Sequence, residues 1–177
     1  MSQCPICDLV TKKISSNKIY EDKDVVAFID PNPVSQGHIM VMPKEHFPIM
    51  EQVPDELLAK TFQVTNLLSI ALFEAVNAKG TNILINNGPA AGQDWAHFMI
   101  NIIPRNENDG INFDWQPKQI AEEEMSQIEL SLKSQFQPSQ EAAAAPSAAQ
   151  PQTEAPKKEV HKDDGENYLV KQLHRRP

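Results

Sequence analysis

Three short runs near the N-terminus, residues 18–21, 25–30 and 38–42, combine β-branched, aromatic and large apolar residues between turn signals, and predict strands. The PNPVSQG stretch between the second and third predicts a loop. From Pro54 the period changes. Val64, Leu67, Leu68, Ala71, Leu72 and Ala75 recur at i, i+3, i+4, i+7, i+8 and i+11, which predicts a long helix with one buried face. Pro54 is suited to open that helix, Asp55 and Glu56 suit the positive end of its dipole, and NAKG ends it. Residues 81–86 and 97–103 predict two further strands, joined by the Gly-containing loop NGPAAGQD. Residues 7–13 predict a short helix, and residues 117–136 a final helix opened by Pro117. Strands, a helix, more strands and a last helix, with hairpin-compatible links, imply an antiparallel sheet in an α+β domain.

Composition changes after Phe136. The stretch QPSQEAAAAPSAAQPQTEAPKKE is rich in Pro, Ala and Gln and has no aromatic residue, so it cannot bury enough surface to offset its ordering entropy. The expected organisation is a folded domain over 1–136, a disordered linker over 137–163 and a short amphipathic segment over 164–177. In that last segment Tyr168, Leu169 and Leu173 lie at helical spacing, with acidic residues before them and Lys171, Arg175 and Arg176 after. Residues 166–175 read either as a peptide that docks on its own domain or on a protein partner, or as an inert tail.

The net charge of −8 sits entirely in the folded part, where 18 Asp/Glu face 10 Lys/Arg, whereas residues 137–177 carry 6 of each sign. An acidic domain repels the phosphate backbone, which disfavours non-specific nucleic-acid binding. No apolar run approaches the roughly 20 residues of a membrane span. The opening MSQCPICDLVTKK lacks a basic stretch leading into an apolar one, so the expected location is cytoplasmic. Two cysteines three residues apart make no disulfide framework.

Candidate chemistry concentrates in few residues. Of five histidines, His161 and His174 lie in the tail, leaving His38, His46 and His97 in the folded part. Cys4-Pro-Ile-Cys7 offers two thiolates of the kind zinc takes, and His46 and His97 could complete a tetrahedron if the fold gathers them. A redox pair and two buried free thiols are the rival readings. In His97-Phe98-Met99-Ile100-Asn101-Ile102-Ile103 the pleat puts His97, Met99, Asn101 and Ile103 on one face and Phe98, Ile100 and Ile102 on the other. The first face could line a pocket or be an ordinary polar strand face. Asn86, Asn87, Gly88, Gly92 and Gln93 suit a phosphate or ribose contact, or simply a solvated turn.

Taken in order, CPICDLV, KIYEDKDVVAFIDPNPVSQGHIMVMPKEH, INNGPAAGQ and HFMINIIPR resemble the histidine-triad (HIT) family over residues 4 to 105. The resemblance implies an antiparallel sheet with one long helix, a homodimer joined through that helix and neighbouring strands, and a purine mononucleotide pocket. Family members hydrolyse nucleotide phosphoramidates, phosphoanhydrides or dinucleotides, or transfer nucleotides. It places Phe28, Ile29 and Pro31 at the base, Asp30 at the ribose, and His38, Asn86, Gly92, Gln93 and Asp94 near the phosphate or behind it. It also implies a structural zinc on Cys4, Cys7, His46 and His97.

The signature His-φ-His-φ-His-φ-φ keeps its first histidine and every apolar position, but Met99 stands at the nucleophile and Asn101 at the third histidine. A thioether attacks phosphorus badly and has no proton to shed, and an amide carries no positive charge. Asp94 stands where a small hydroxyl residue is usual. The expectation is therefore a catalytically impaired, zinc-stabilised homodimer that binds a purine nucleoside or nucleotide weakly or serves as a protein-interaction module. The alternatives are an active nucleotide phosphohydrolase or nucleotidyl transferase of phosphoramidase type with His38 as its nucleophile, and a scaffold whose pocket Met99 fills.

Overall fold

A computed structural model of the chain describes residues 4–11, 13–14 and 16–136. The expected linker (137–163) and amphipathic segment (164–177) lie outside the described residues. Those described fall into two units, residues 4–111 and residues 112–136. The first contains α1 (Pro5–Val10), β1 (Lys18–Glu21), β2 (Val25–Ile29), β3 (Ile39–Pro43), α2 (Asp55–Val76), β4 (Gly80–Leu84) and β5 (Ile100–Arg105). The second contains α3 (Glu122–Gln135). The α+β class expected from the sequence is the one observed.

The five strands form one antiparallel sheet in the order β1-β2-β3-β5-β4. Its two faces bury two separate apolar clusters. Val25, Ala27, Val41, Ile100 and Ile102 pack with Val64 and Leu72 of α2, and Val26, Phe28, Met40 and Met42 pack with Ile6 and Leu9 of α1. Alternation along each strand produces this division, since consecutive side chains leave opposite sides of the pleat.

Several boundaries differ from expectation. α1 starts at Pro5 rather than residue 7, because a proline fits the first helical turn, where its missing N–H costs nothing. The strand expected at 97–103 begins at Ile100, and β4 ends at Leu84 rather than residue 86. α3 begins at Glu122, with Ala121 as its cap, instead of at Pro117, and it has no buried residue. The buried face of α2 is also rotated from the expected one: Thr61, Val64, Thr65 and Leu72 are buried, while Leu67, Ala71 and Ala75 are exposed. Two threonines satisfy their own hydroxyls on the preceding turn, Thr61 on the Leu57 carbonyl at 2.7 Å and Thr65 on the Thr61 carbonyl at 2.9 Å. They can therefore be buried at little cost, and an apolar-only periodicity does not count them.

Two turns show why the chain reverses where it does. Gly37, at φ +91°, lies so close to α2 that an added Cβ would stand 3.1 Å from both Leu72 and Val76. Asp22 closes the β1–β2 hairpin: its carboxylate accepts from the Asp24 N–H at 2.8 Å, the Val25 N–H at 2.7 Å and the Tyr20 hydroxyl at 2.9 Å, with Lys60 of α2 at 3.0 Å. Burial pulls this carboxyl's pKa upward, but the two backbone donors, Lys60 and Tyr20 outweigh it and hold the pKa well below the usual range.

Removing that hub in Asp22→Ala is expected to cost about 1–3 kcal/mol in urea unfolding at neutral pH. Because the folded pKa is depressed, the carboxylate's contribution is complete above the unfolded value of about 3.9 and is lost as pH falls through the folded value. The difference between wild type and Asp22→Ala should therefore shrink on acidification; a constant difference down to about pH 2 would refute the carboxylate's role.

Candidate functional site

The α1 side of the sheet carries a cleft of about 490 Å³. Strand register builds its floor. Met40 pairs with Asn101, and Asn101 with Leu84, so one row of side chains crosses β3, β5 and β4. His97, Met99, Asn101 and Ile103 all line the cleft, while Phe98, Ile100 and Ile102 enter the core on the other face. Pro5, Ile6 and Leu9 of α1 form one wall, and residues 92–95 another.

Of the ten residues expected to contact a nucleotide, eight line the cleft: Asp30, His38, Asn86, Gly92, Gln93, Asp94, Met99 and Asn101. Phe28 and Ile29 do not. Phe28 is buried at the end of the Met40 row, packed in the cluster beneath α1, and Ile29 leaves the pleat on the opposite side. Pro31 is in the lining. Sequence reasoning missed Trp95, Leu84 and the α1 wall. The CPIC motif drew attention to its sulfurs, whereas Pro5, Ile6 and Leu9 between and beyond them face the cleft.

His38 is buried and held at both ring nitrogens. Nδ1 lies 3.3 Å from the Asp30 carboxylate, and Nε2 lies 3.1 Å from Oδ1 of Asn101. Asn101 in turn donates to the Leu84 carbonyl at 3.5 Å. The loop forming the second wall is braced just as fully. Gln93 donates to the carbonyls of Pro48 and Trp95 at 2.7 and 2.9 Å and accepts from the Gly88 N–H, and Asn86 donates to the Gly92 carbonyl. Much of the amide capacity expected to meet a ligand is thus spent on holding the loop.

At one end of the cleft, Cys4, Cys7, His46 and His97 bring four donor atoms within 4.8 Å of one another. Cys4 Sγ and Cys7 Sγ each lie 3.7 Å from His97 Nδ1, while His46 Nδ1 lies 3.3 Å from both Cys7 Sγ and His97 Nδ1. A tetrahedron with bonds of about 2.3 Å to sulfur and 2.05 Å to nitrogen has edges of about 3.6 Å (S–N) and 3.3 Å (N–N). The donor set fits such an ion. His97 Nε2 points at the Pro43 carbonyl at 3.3 Å, which places the proton there and leaves the Nδ1 lone pair facing the cluster. Burial also holds the His97 imidazole's pKa below its ordinary value, favouring the neutral ligand form. Burial, then the neighbouring Cys4 thiol, pushes the Cys7 thiol up to about 11, so without a cation Cys7 is a protonated thiol.

A single antiparallel sheet with a long helix on one face, and a cleft beside a Cys/His tetrad on the other, defines an α+β class. Residues 11–108 match the family model described as HIT domain, and the chain belongs to the HIT family. It is 37% identical over 108 residues to the adenylylsulfatase HINT3 of Arabidopsis thaliana, a match covering 61% of this chain and 55% of the plant protein. The chain thus spans about half of that relative's length. It is 33% identical over 133 residues to the adenosine 5′-monophosphoramidase hnt1 of Schizosaccharomyces pombe, covering 73% of this chain and 97% of the yeast protein. A solved HIT family structure from Bacillus subtilis superposes with a TM-score of 0.72 at 32% identity, covering 78% of this chain and all of that one. A Zn-bound histidine triad family structure from Mycobacterium smegmatis gives 0.60 at 29% identity, covering 80% and 97%. Among the described residues no helix is long and apolar enough to cross a membrane.

Proposed function

We propose that this chain is a HIT-family homodimer that binds a purine nucleoside in its cleft and does not carry out covalent nucleotidyl transfer. One observation carries the proposal: no histidine of the described residues presents a free ring nitrogen to the cleft. His46 and His97 turn Nδ1 into the tetrad, His38 is held by Asp30 and Asn101, and the side chain on β5's approach is the thioether of Met99. A nucleotidyl-enzyme needs a lone pair that attacks phosphorus and can leave again. Asp94 adds a carboxylate to the cleft lining, and no Lys or Arg stands there to offset a phosphate.

The adenylylsulfatase and adenosine 5′-monophosphoramidase named among its relatives favour a second reading, a working nucleotide hydrolase. It would need His38 to leave Asn101 and expose Nε2. Incubation with a radiolabelled adenosine phosphoramidate separates the two. We expect no AMP release and no labelled protein after an alkaline denaturing quench, which preserves a phosphorus–nitrogen adduct; release that disappears in His38→Ala would establish the hydrolase.

We assign zinc to the tetrad, supported by its edge lengths, its soft thiolate and imidazole donors and the fixed His97 tautomer. A closed four-ligand ion of this kind crosslinks the chain rather than activating water. Elemental analysis of protein purified without chelator should give one zinc per chain, and Cys4→Ser should lower Tm by at least about 5 °C. Metal-free protein with an unchanged Tm in Cys4→Ser would remove the assignment.

The homodimer is supported by the outer side of α2, where Phe62, Leu67 and Ile70 are exposed opposite the face that packs on the sheet, and by the edge strand β4 with exposed Ile83. Light scattering should give twice the chain mass, and Leu67→Glu should shift it toward the monomer. A monomeric wild type would refute the dimer.

A further inference from the structure

The cleft's charge inventory is one-sided. Its lining includes the carboxylates of Asp30 and Asp94 and the thioethers of Met40 and Met99, and no ammonium or guanidinium. Asp30 is occupied internally: one oxygen faces His38 and the other accepts the Asn32 N–H at 2.7 Å. Asp94 is different. It is exposed, lines the cleft and has no hydrogen-bond or ion-pair partner among the described residues. The indole of the next residue, Trp95, also lines the cleft and is 49% exposed.

This rim is fixed in place. The Trp95 carbonyl accepts from Gln93 Nε2 at 2.9 Å and from the His97 N–H at 2.7 Å, so the residues on either side of Asp94–Trp95 are tied to them. Gln93, the neighbouring donor that could greet an anion, has its amide nitrogen engaged by two carbonyls. A carboxylate without a cation of its own, beside a half-exposed indole on a pinned segment, is a pairing suited to a positive group, which gains both ion pairing and attraction to the ring face.

We propose that the cleft selects a nucleoside bearing a cationic substituent, of the ammonium or sulfonium class, with Asp94 and Trp95 receiving the charge, and that it discriminates against nucleoside phosphates. The proposal rests on the nucleoside reading above and adds the sign of the ligand's charge.

Calorimetry on the full chain with adenosine, 5′-amino-5′-deoxyadenosine and AMP tests it. Expected is about five- to tenfold tighter binding of the 5′-ammonium compound than of adenosine at low salt, with AMP weaker than adenosine. The ammonium advantage should shrink as salt is added. Asp94→Asn should abolish the ammonium advantage, bringing the ratio of the two affinities to about one. AMP binding as tightly as adenosine or tighter, equal affinity for the ammonium compound and adenosine in the wild type, or an ammonium advantage that survives Asp94→Asn would overturn the charge selectivity and leave the nucleoside reading standing. Failure of all three compounds to bind would overturn both.

Discussion

The alternation of side chains along residues 97–99 and on into β5 is the constraint on which the site depends. Phe98, Ile100 and Ile102 are each at most 2% exposed and interlock with α2. Their burial fixes which way the intervening residues point, because a one-residue slip would send the apolar set into the cleft and the polar set into the core. Each buried large apolar side chain is worth about 1.5–3 kcal/mol, so the register resists change. His97, Met99 and Asn101 therefore face the cleft by geometric necessity, whatever chemistry they bring. The same register sets Asn101 opposite Met40, two residues from His38, and lets the amide reach the imidazole.

That necessity explains how a cleft keeps its shape with different chemistry inside. Asn101 satisfies the buried Nε2 of His38, as a polar group must when water is excluded. Met99 packs partly against the cluster beneath α1. Its flexible thioether fills irregular space without demanding a partner. Among the described residues no buried side-chain nitrogen or oxygen is left without a hydrogen bond. The buried polar network of the described residues is complete in itself, and the exposed carboxylate of Asp94 lines the cleft outside it.

Much of this was readable from the chain alone, for identifiable reasons. The face carrying His97, Met99 and Asn101 followed from a period of two, a rule indifferent to what lies around the strand. Residue types left the tetrad as one of three readings of the CPIC motif, and the family resemblance implied the set Cys4, Cys7, His46 and His97, whose donor atoms the fold brings together. The α2 face was misjudged because threonines hidden by their own backbone bonds do not register as apolar, and because Leu67 is exposed while still looking like core. Phe28 and Ile29 were misplaced for a related reason. Adjacent residues on a strand cannot both face one cleft, and here Asp30 faces it while Ile29 points away and Phe28 lies covered by α1. Trp95 carries no signal of its own; only the bracing by Gln93 and the His97 N–H shows that it is held at the rim.

The wall provided by α1 ties the two ends of the site together. Six residues are far too few for a helix to hold itself in water. Ile6 and Leu9 anchor it on the sheet, while Cys4 and Cys7, three residues apart, approach His46 and His97 from distant parts of the chain. The residues between and beyond those sulfurs are the ones that close the cleft. Gathering the tetrad and building the wall are consequently one structural event, and His97 belongs to both, with Nδ1 in the cluster and its ring in the lining. His97 thus joins the tetrad to the cleft lining, whereas Met99 and Asn101 line the formed cavity without belonging to the tetrad.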